Sequence, residues 1–176
     1  MIKIVGARGN VQNVDGFLKQ VLDFSQEHHV IIQVFDADMI YGKNHLISAV
    51  QHAVRAMKRK TNTTNSLGME ILLYASGERQ LKLAIPKMGI KSGRGDIAFV
   101  FVDEITDIKE ADSKISDQLI DEMLKILSII RDDGVLEGNE DTLRKFGINE
   151  KGIKTVMKAK YWDLILEKVA MVDIIK

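Results

Sequence analysis

Cysteine is absent from the sequence of 176 residues, which excludes disulfide bonds, thiol nucleophiles and thiolate metal sites. No apolar run approaches the ~20 residues that a membrane-spanning helix needs. The stretch before Gly6 is too short and too polar for the core of a signal peptide. Because a chain without cysteine also fits a reducing compartment, these absences predict a cytoplasmic protein that does not associate with a membrane.

The motifs of the common catalytic sites are also missing. The sequence has no GxxxxGK[ST] phosphate loop and no GxSxG serine elbow. One metal site is conceivable from the sequence. Asp36 and Asp38 follow a predicted strand and His45 comes seven residues later, and such carboxylates hold the metal ion in metal-dependent hydrolases. The alternative is that the two aspartates cap a turn. We therefore expect no enzyme activity, no cofactor and no bound metal, and keep the hydrolase as an alternative.

Apolar residues are frequent enough for a folded core, at 45% of the chain against 28% charged residues. Apolar and β-branched runs predict strands near residues 1–8, 30–34 and 96–104. Apolar residues spaced by three and four predict helices near 15–29, 43–58, 66–76, 81–89, 116–130 and 162–175. We expect an α/β protein of the α+β kind, a single domain over residues 1–176. Its sheet should be small, mostly antiparallel or mixed, with three to four strands packed with several helices.

Local signals predict how some of these elements begin and end. Asn65 or Ser66 suits the N-cap of the helix near 66–76, and Gly77 suits its end because glycine adopts the left-handed conformation at little cost. Pro86 removes a backbone hydrogen bond, so we expect a kink or an early end in the helix near 81–89. The predicted inward-facing residues of the first helix and of this one are Phe17, Val21, Leu22 and Phe24, and Leu81, Ala84, Ile85 and Met88. Residues 91–95, KSGRG, are predicted to form a loop.

Charge is balanced over the whole chain but divided along it. Residues 41–95 contain ten basic and two acidic residues, a net charge of +8, whereas residues 103–141 contain thirteen acidic and four basic residues, a net charge of −9. Such a molecule can offer one face to a polyanion. The alternative is that the two segments lie side by side and neutralise each other.

The basic segment contains the residues best suited to nucleic acid. Lysine and arginine bind phosphates, and amide or guanidinium groups bind base edges, which suggests a short contact with a nucleic-acid end or loop. The candidates are Arg55, Lys58, Arg59, Lys60, Asn65, Arg79 and Gln80. We expect Gly77 to turn the chain so that Arg79 and Gln80 lie beside the Lys58–Lys60 run. Two alternatives stay open: favourable charge at a helix C-terminus for the first group, and an ion pair of Arg79 with Glu70 or Glu78.

The last predicted helix is apolar on more than one side. Such a helix is either buried or binds a partner. Ile165, Val169 and Val172 fall at helical spacing and are the candidates for partner contact, with packing inside the chain as the competing explanation. If this surface lacks its partner, it could also pair with a second copy as a homodimer.

Several stretches, read in order, resemble a known family. They are Arg8-Gly9, residues 36–39 (DADM) with Lys43 and His45, the run from Glu70 to Gln80 (EILLYASGERQ), and residues 167–173 (EKVAMVD). This order and spacing resembles the PRPK-binding protein family, the small accessory subunit of the KEOPS complex. The resemblance is weakest from about Asp103 to Lys160, and Pro86 departs from the family pattern.

The resemblance implies a role without catalysis. Members of that family bind and stimulate the small kinase-like ATPase subunit of KEOPS, and help to hold tRNA by its 3′ CCA end. The complex installs threonylcarbamoyl-adenosine, and its chemistry belongs to other subunits. On this reading the seven basic-segment candidates contact tRNA, and Ile165, Val169 and Val172 contact the kinase subunit. A stand-alone RNA-binding protein remains the first alternative, and the metal-dependent hydrolase the second.

Overall fold

A computed structural model describes residues 1–103 and 113–176. The chain divides into two compact units. The sheet unit comprises Met1–Ala37 and Ile90–Val135, and the helical unit comprises Asp38–Gly89 and Leu136–Lys176. No helix of the described residues is long and apolar enough to cross a lipid bilayer. The end of the predicted strand at Glu104, and the part of the acidic segment within residues 104–112, lie outside the described residues.

Four antiparallel strands form the sheet unit, in the order β2-β3-β1-β4. They are β1 (Ile2–Val11), β2 (Val30–Asp36), β3 (Gly93–Asp103) and β4 (Ile130–Arg131). β3 pairs with β1 from Val11↔Gly93 to Ile2↔Val102, and with β2 from Asp36↔Ile97 to Val30↔Asp103. The prediction of an α+β fold with a small antiparallel sheet is therefore confirmed, while the single domain over residues 1–176 stays a prediction.

The α-helices of the sheet unit, within the described residues, are α1 (Val14–His28) and α5 (Asp117–Ile126). Successive side chains of a strand point to opposite faces of the sheet, so alternate residues of β3 contribute to the same core. Ile97, Phe99 and Phe101 belong to this core with Phe17 of α1 and Met123 of α5. The residues between them on β3 are also buried, which confirms the prediction of a strand buried on both faces.

The helical unit contains the other α-helices of the described residues. They are α2 (Gly42–Arg59), α3 (Leu67–Ser76), α4 (Leu81–Met88), α6 (Glu140–Phe146), α7 (Glu150–Lys154) and α8 (Tyr161–Ile175). α3 packs against α2, α4 and α8, and its residues from Glu70 to Ser76 are all buried. This explains why α3 can be apolar all round: a helix with neighbours on every side needs no polar face.

The ends of α3 and α4 follow the predicted signals. The Ser66 side chain accepts a hydrogen bond from the Met69 N–H, and Gly77 ends α3 in the left-handed conformation with φ +70°. A Cβ at Gly77 would also lie 3.2 Å from Lys168 Cβ, so the position favours glycine twice. α4 continues through Pro86 to Met88, with Gly89 as its C-cap, so the early end that was expected is not found. The prediction of Gly89 at its end is confirmed.

Four further local predictions are wrong. The helix predicted near 116–130 ends at Ile126, and Ile130 already belongs to β4. Leu22 and Ile85 were expected to face inward, but they are 54% and 48% exposed. Leu22 follows the buried Val21 by one residue, and one residue turns an α-helix by about 100°, which carries Leu22 off the narrow buried stripe. Residues 93–95 belong to β3 and not to a loop, because ladder pairing such as Gly9↔Gly95 uses backbone groups and needs no side chain.

Candidate functional site

The basic residues predicted at the end of α2 lie on the surface. Arg55, Lys58 and Arg59 are exposed on its last two turns, and Lys60 is exposed in the left-handed conformation (φ 57°) that follows the helix. Arg55 Nη2 lies 2.9 Å from His52 Nδ1. Within the described part of the chain, the side chains of Arg59 and Lys60 make no ion pair or hydrogen bond. These two cations are therefore available to an anion.

The loop that follows α2 is built around a buried carboxylate. Glu70 is 0% exposed and accepts hydrogen bonds from the N–H groups of Thr63 (3.1 Å) and Thr64 (3.0 Å). The Thr64 hydroxyl lies 2.9 Å from the Ser66 carbonyl and 3.1 Å from Glu70, and its one proton is donated to one of them at a time. The ammonium of Lys176 forms an ion pair with Glu70 and donates to the Thr61 carbonyl at 3.3 Å. Residues 61–64 thus wrap around Glu70, and Asn65 follows them as an exposed residue.

Arg79 and Gln80 stand between α3 and α4. Arg79 is exposed and, among the residues that the structure describes, makes neither an ion pair nor a side-chain hydrogen bond. The partners considered for it are bound elsewhere, Glu70 to Lys176 and Glu78 to Lys87 at 3.3 Å. Gln80 is the N-cap residue of α4, yet its side chain makes no capping hydrogen bond in the described structure. The first N–H groups of α4 are therefore left for water or a ligand.

These two basic groups do not form one patch. His45, in the first turn of α2, makes a 2.8 Å hydrogen bond through Nε2 to the Ala75 carbonyl at the end of α3. The start of α2 therefore lies beside the end of α3, and α2 then rises about 20 Å from His45 to Arg59. The expectation that Arg79 and Gln80 lie beside Lys58, Arg59 and Lys60 is not met. Their assignment to tRNA stays a prediction, now for two separate groups.

The three residues of the hydrolase alternative have other partners. Asp36 pairs with Lys91 at 2.8 Å in the sheet unit, and Asp38 pairs with Lys145 at 3.3 Å in the helical unit. His45 is 1% exposed, and both of its ring nitrogens are used, since Nδ1 accepts from the Tyr41 N–H at 3.2 Å. Across residues 1–103 and 113–176, no three His, Asp or Glu side chains lie close enough to hold a metal ion. His45 is thus a core residue, which leaves the hydrolase without its histidine.

Burial also fixes the protonation of His45. Its pKa is lowered to about 4, chiefly because burial withdraws the ring from water. The hydrogen bond to Ala75 acts in the opposite direction, and the nearby Lys87 ammonium adds a smaller lowering effect. The imidazole is therefore neutral at pH 7, donates through Nε2 and accepts at Nδ1. This tautomer joins the start of α2 to the end of α3.

The last helix, α8, has two different faces. Ile165, Val169 and Val172 are each 0% exposed, so they belong to the core of the helical unit, where α8 packs against α2, α3 and α6. A partner that docks on α8 would meet other side chains. The exposed apolar ones are Trp162, Met171, Ile174 and Ile175, of which Ile174 is 75% exposed. The competing explanation, packing inside the chain, accounts for the three predicted contact residues.

A polar network that the sequence analysis missed joins α8 to α2 and α3. The Tyr74 hydroxyl donates to Asp173 at 2.5 Å, and His52 Nδ1 lies 2.7 Å from the other Asp173 oxygen. The Lys176 ammonium lies 4.4 Å over the Tyr74 ring. The only sequence signal was a single carboxylate, Glu70, inside an otherwise apolar helix, and a single carboxylate, Asp173, near the end of another. The sequence does not show which side chain binds either of these carboxylates.

The network shifts the pKa values of its acid groups. Burial raises the pKa of Tyr74, and the hydrogen bond to the negative Asp173 raises it further. Burial acts to raise the pKa of Asp173, but the hydrogen bonds from Tyr74 and His52 outweigh this effect and lower it. Asp173 is therefore ionised and Tyr74 is its proton donor at neutral pH.

Acidic residues of the described structure pair mostly with bases outside the basic segment. Asp117 pairs with Lys3 and Arg131, Asp132 pairs with Arg8, and Glu140 pairs with Arg144. Inside the basic segment, Lys87 pairs with Glu78 of the same segment. Neutralisation of the basic segment by the acidic one stays an alternative.

Comparison with known proteins adds the family. Residues 9–172 match the family model described as kinase binding protein CGI-121. A relative from Methanocaldococcus jannaschii, called regulatory protein Cgi121, is 31% identical over 148 residues, which cover 82% of this chain and 84% of that protein. The match spans both units, and it confirms the resemblance found in the sequence. The chain therefore belongs to the CGI-121 family of kinase binding proteins.

Proposed function

We propose that this chain is a non-catalytic regulatory subunit that binds a kinase-like ATPase through the exposed face of α8. One observation carries the proposal: α8 keeps an apolar surface at Met171, Ile174 and Ile175 although its other face already fills the core. Apolar side chains that cluster at the surface are typical of a protein interface. The family description, kinase binding protein, supplies the class of partner.

The experiment uses a point substitution, because truncating α8 before Glu167 would remove the core residues Val169 and Val172 and unfold the helical unit. Ile174→Asp should leave the fold intact and weaken kinase binding at least about tenfold, since it places a charge in an apolar contact. Met157→Asp is the matched control, because Met157 is also apolar and 77% exposed but lies outside α8. Titration of each variant with the purified kinase subunit measures the effect. Equal affinities for both variants would refute the assignment to α8.

The complex in question is the one that the sequence resemblance implies, KEOPS in the cytoplasm. In this role the chain stimulates the kinase subunit and the chemistry of threonylcarbamoyl-adenosine formation belongs to other subunits. A chain that binds RNA alone, without a kinase partner, is the competing function. Co-purification of an ATPase with the chain from its own cells separates the two.

Binding of the tRNA 3′ end is a second element of the proposal. It is supported by Arg59, Lys60 and Arg79, which are exposed and whose side chains make no ion pair or hydrogen bond among the described residues. Arg79 stands beside the N-terminus of α4, where backbone N–H groups and the helix dipole favour an anion, and Lys82 is exposed on its first turn. We assign the terminal phosphates of the tRNA to this end, with Gln80 as the contact to a base. Arg55, Lys58, Arg59, Lys60 and Asn65 then hold phosphates at the other end of α2.

Because the two groups are separate, they can be tested one at a time. Intact tRNA and tRNA lacking its 3′ CCA are titrated over a salt series with Arg79→Glu and with Arg59→Glu. Arg79→Glu should abolish the preference for intact tRNA, whereas Arg59→Glu should weaken both RNAs alike and make the salt dependence shallower. If the native chain binds both RNAs equally, or neither, the basic groups are surface charge and the protein acts through kinase binding alone.

A further inference from the structure

The end of α8 and the loop of residues 61–66 share one buried contact. The Lys176 side chain is 9% exposed and the Glu70 side chain is 0% exposed, so this ion pair is withdrawn from water. A buried ion pair is held firmly, because removing either partner leaves the other charge uncompensated. Moving the Lys176 ammonium away from Glu70 would therefore leave a buried charge uncompensated, which is unfavourable.

The loop depends on the same carboxylate. Thr63 and Thr64 each donate their N–H group to Glu70, and the Thr64 hydroxyl lies within hydrogen-bond distance of both Glu70 (3.1 Å) and the Ser66 carbonyl (2.9 Å). Lys176 also binds the Thr61 carbonyl directly. The carboxylate of Glu70 and the ammonium of Lys176 thus each bind backbone groups of the loop.

The exposed face of α8 lies within one or two turns of this contact. Met171, Ile174 and Ile175 are 40%, 75% and 38% exposed and precede Lys176 directly. Between them, Asp173 ties the same part of the helix to Tyr74 and His52. Anything that fixes this face therefore also fixes Lys176.

We propose that the Lys176–Glu70 ion pair is a link through which occupancy of the exposed face of α8 orders the loop of residues 61–66. A partner that binds the docked helix removes the states in which Lys176 has left Glu70, because a ligand shifts the population toward the state it binds. The loop that presents Asn65 is then held in one conformation. By reciprocity, a ligand on the loop strengthens binding to α8 by the same factor. The kinase as the occupant rests on the proposed function, but the link between α8 and the loop does not.

Amide hydrogen exchange on the full chain tests the link in both directions. Thr64→Val removes the hydroxyl that lies within hydrogen-bond distance of both Glu70 and the Ser66 carbonyl. It does not touch α8, yet the amides of residues 172–175 should exchange about fivefold faster. Lys176→Met should speed exchange at Thr63 and Thr64 about tenfold, and Lys176→Arg should restore the native rate. Asn65→Ala is the matched control in the loop, since Asn65 is exposed and does not contact Glu70; it should leave α8 unchanged.

Reference amides in β3 report global unfolding and should be unchanged in every variant. Native rates at residues 172–175 in Thr64→Val, or an equal effect of Asn65→Ala, would overturn the link. If Lys176→Met fails to fold, Thr64→Val and Lys176→Arg still decide the question.

A second arm adds the kinase subunit at saturation to the native chain and to Lys176→Met. Bound kinase should slow exchange at Thr63 and Thr64 several-fold in the native chain and leave these amides unchanged in Lys176→Met. Slowing of equal size in both proteins would overturn the role of the ion pair. If the kinase does not bind at all, the proposed function fails, while the variants without kinase still decide whether the link exists.

Discussion

The sheet unit and the helical unit are stabilised in different ways. In the sheet unit, aromatic and aliphatic side chains fill one core between the sheet and two helices, and one buried carboxylate, Asp103, binds the Met1 ammonium at 2.9 Å. In the helical unit, the buried residues include four polar ones: His45, Glu70, Ser76 and Thr142. Here each polar group finds a partner on another element or within its own turn.

This difference has a physical reason. The sheet satisfies its backbone groups by its own ladder, so its core can be wholly apolar. The helical unit must also hold loops and helix ends, whose free N–H and C=O groups need partners. Glu70 and His45 supply them for the loop after α2 and for the end of α3. Polar burial in the helical unit therefore fixes specific geometry, whereas apolar burial in the sheet unit supplies bulk stability.

The largest effect should come from the apolar core of the sheet unit. Phe99 is 0% exposed, and its ring centroid lies 6.5 Å from that of Phe17 and 6.3 Å from that of Phe101. Phe99→Ala leaves a cavity and should lower the free energy of unfolding by about 4 kcal/mol. Leu18→Ala on the exposed side of α1 is the control and should cost at most about 0.5 kcal/mol. Urea unfolding measures both, and similar costs would contradict the packing described.

Removing one buried charge should be nearly as costly in the helical unit. Glu70→Gln leaves the Lys176 ammonium without its counter-charge and should lower the free energy of unfolding by about 3 kcal/mol. The double variant Glu70→Gln with Lys176→Met should cost less than the sum of the two single variants, because no uncompensated charge remains. Additive costs in urea unfolding would mean that the two side chains do not interact.

His45 should make stability depend on pH in mild acid. Its pKa is about 4 in the folded chain and about 6.5 when unfolded, so the unfolded chain binds a proton first as the pH falls. The contribution is fully present above pH 6.5 and is lost as the pH falls toward 4. Between pH 7.5 and 5 the loss should be about 2 kcal/mol.

The matched variant for this prediction is His45→Gln, which cannot titrate but keeps a donor and an acceptor. Urea unfolding of both proteins at the two pH values isolates His45, because His28, His29 and His52 are common to both. The native protein should lose more stability on acidification than the variant. Parallel losses would show that His45 is not the group that titrates.

The smallest effect is expected where a polar contact stands at the edge of the core. Tyr74→Phe removes the hydroxyl that donates to Asp173, whose side chain is 42% exposed, so water can replace the lost donor. The expected cost is about 1 kcal/mol. Tyr161→Phe is the comparison, since the Tyr161 hydroxyl has no hydrogen-bond partner among the described residues, and it should be close to neutral. If Tyr74→Phe lowered the free energy of unfolding more than Glu70→Gln does, the Tyr74–Asp173 contact would be the stronger of the two, contrary to this prediction.

Regular elements with strong local signals could be predicted from the sequence. The apolar run from Ile97 to Val102 predicted a strand buried on both faces, and Ser66 and Gly77 predicted the two ends of α3. In each case the deciding signal is local: a continuous run of apolar residues, a cap to an N–H three residues on, or a positive φ. Local interactions depend on residues that are neighbours in the sequence, so the sequence alone determines them.

The candidate site depends on contacts between residues that are far apart in the sequence, and the sequence alone does not determine those contacts. Ile165, Val169 and Val172 have the spacing of a partner-binding stripe, but only packing against α2, α3 and α6 shows that this is the inner face of α8. Arg59 and Arg79 belong to one basic segment, but the bond between His45 and Ala75 places them at opposite ends of the α2–α3 pair.

The sequence by itself thus determined the fold class, the family and the chemistry on offer: no cysteine, a basic segment and an apolar last helix. The tertiary structure determined which of these side chains remain exposed and can bind a partner. A helix has several faces of similar composition, and a lone carboxylate such as Glu70 has no partner until Thr63, Thr64 and Lys176 are brought to it from 6 to 106 residues away. Burial and pairing are properties of contacts, and contacts between distant residues exist only in the folded chain.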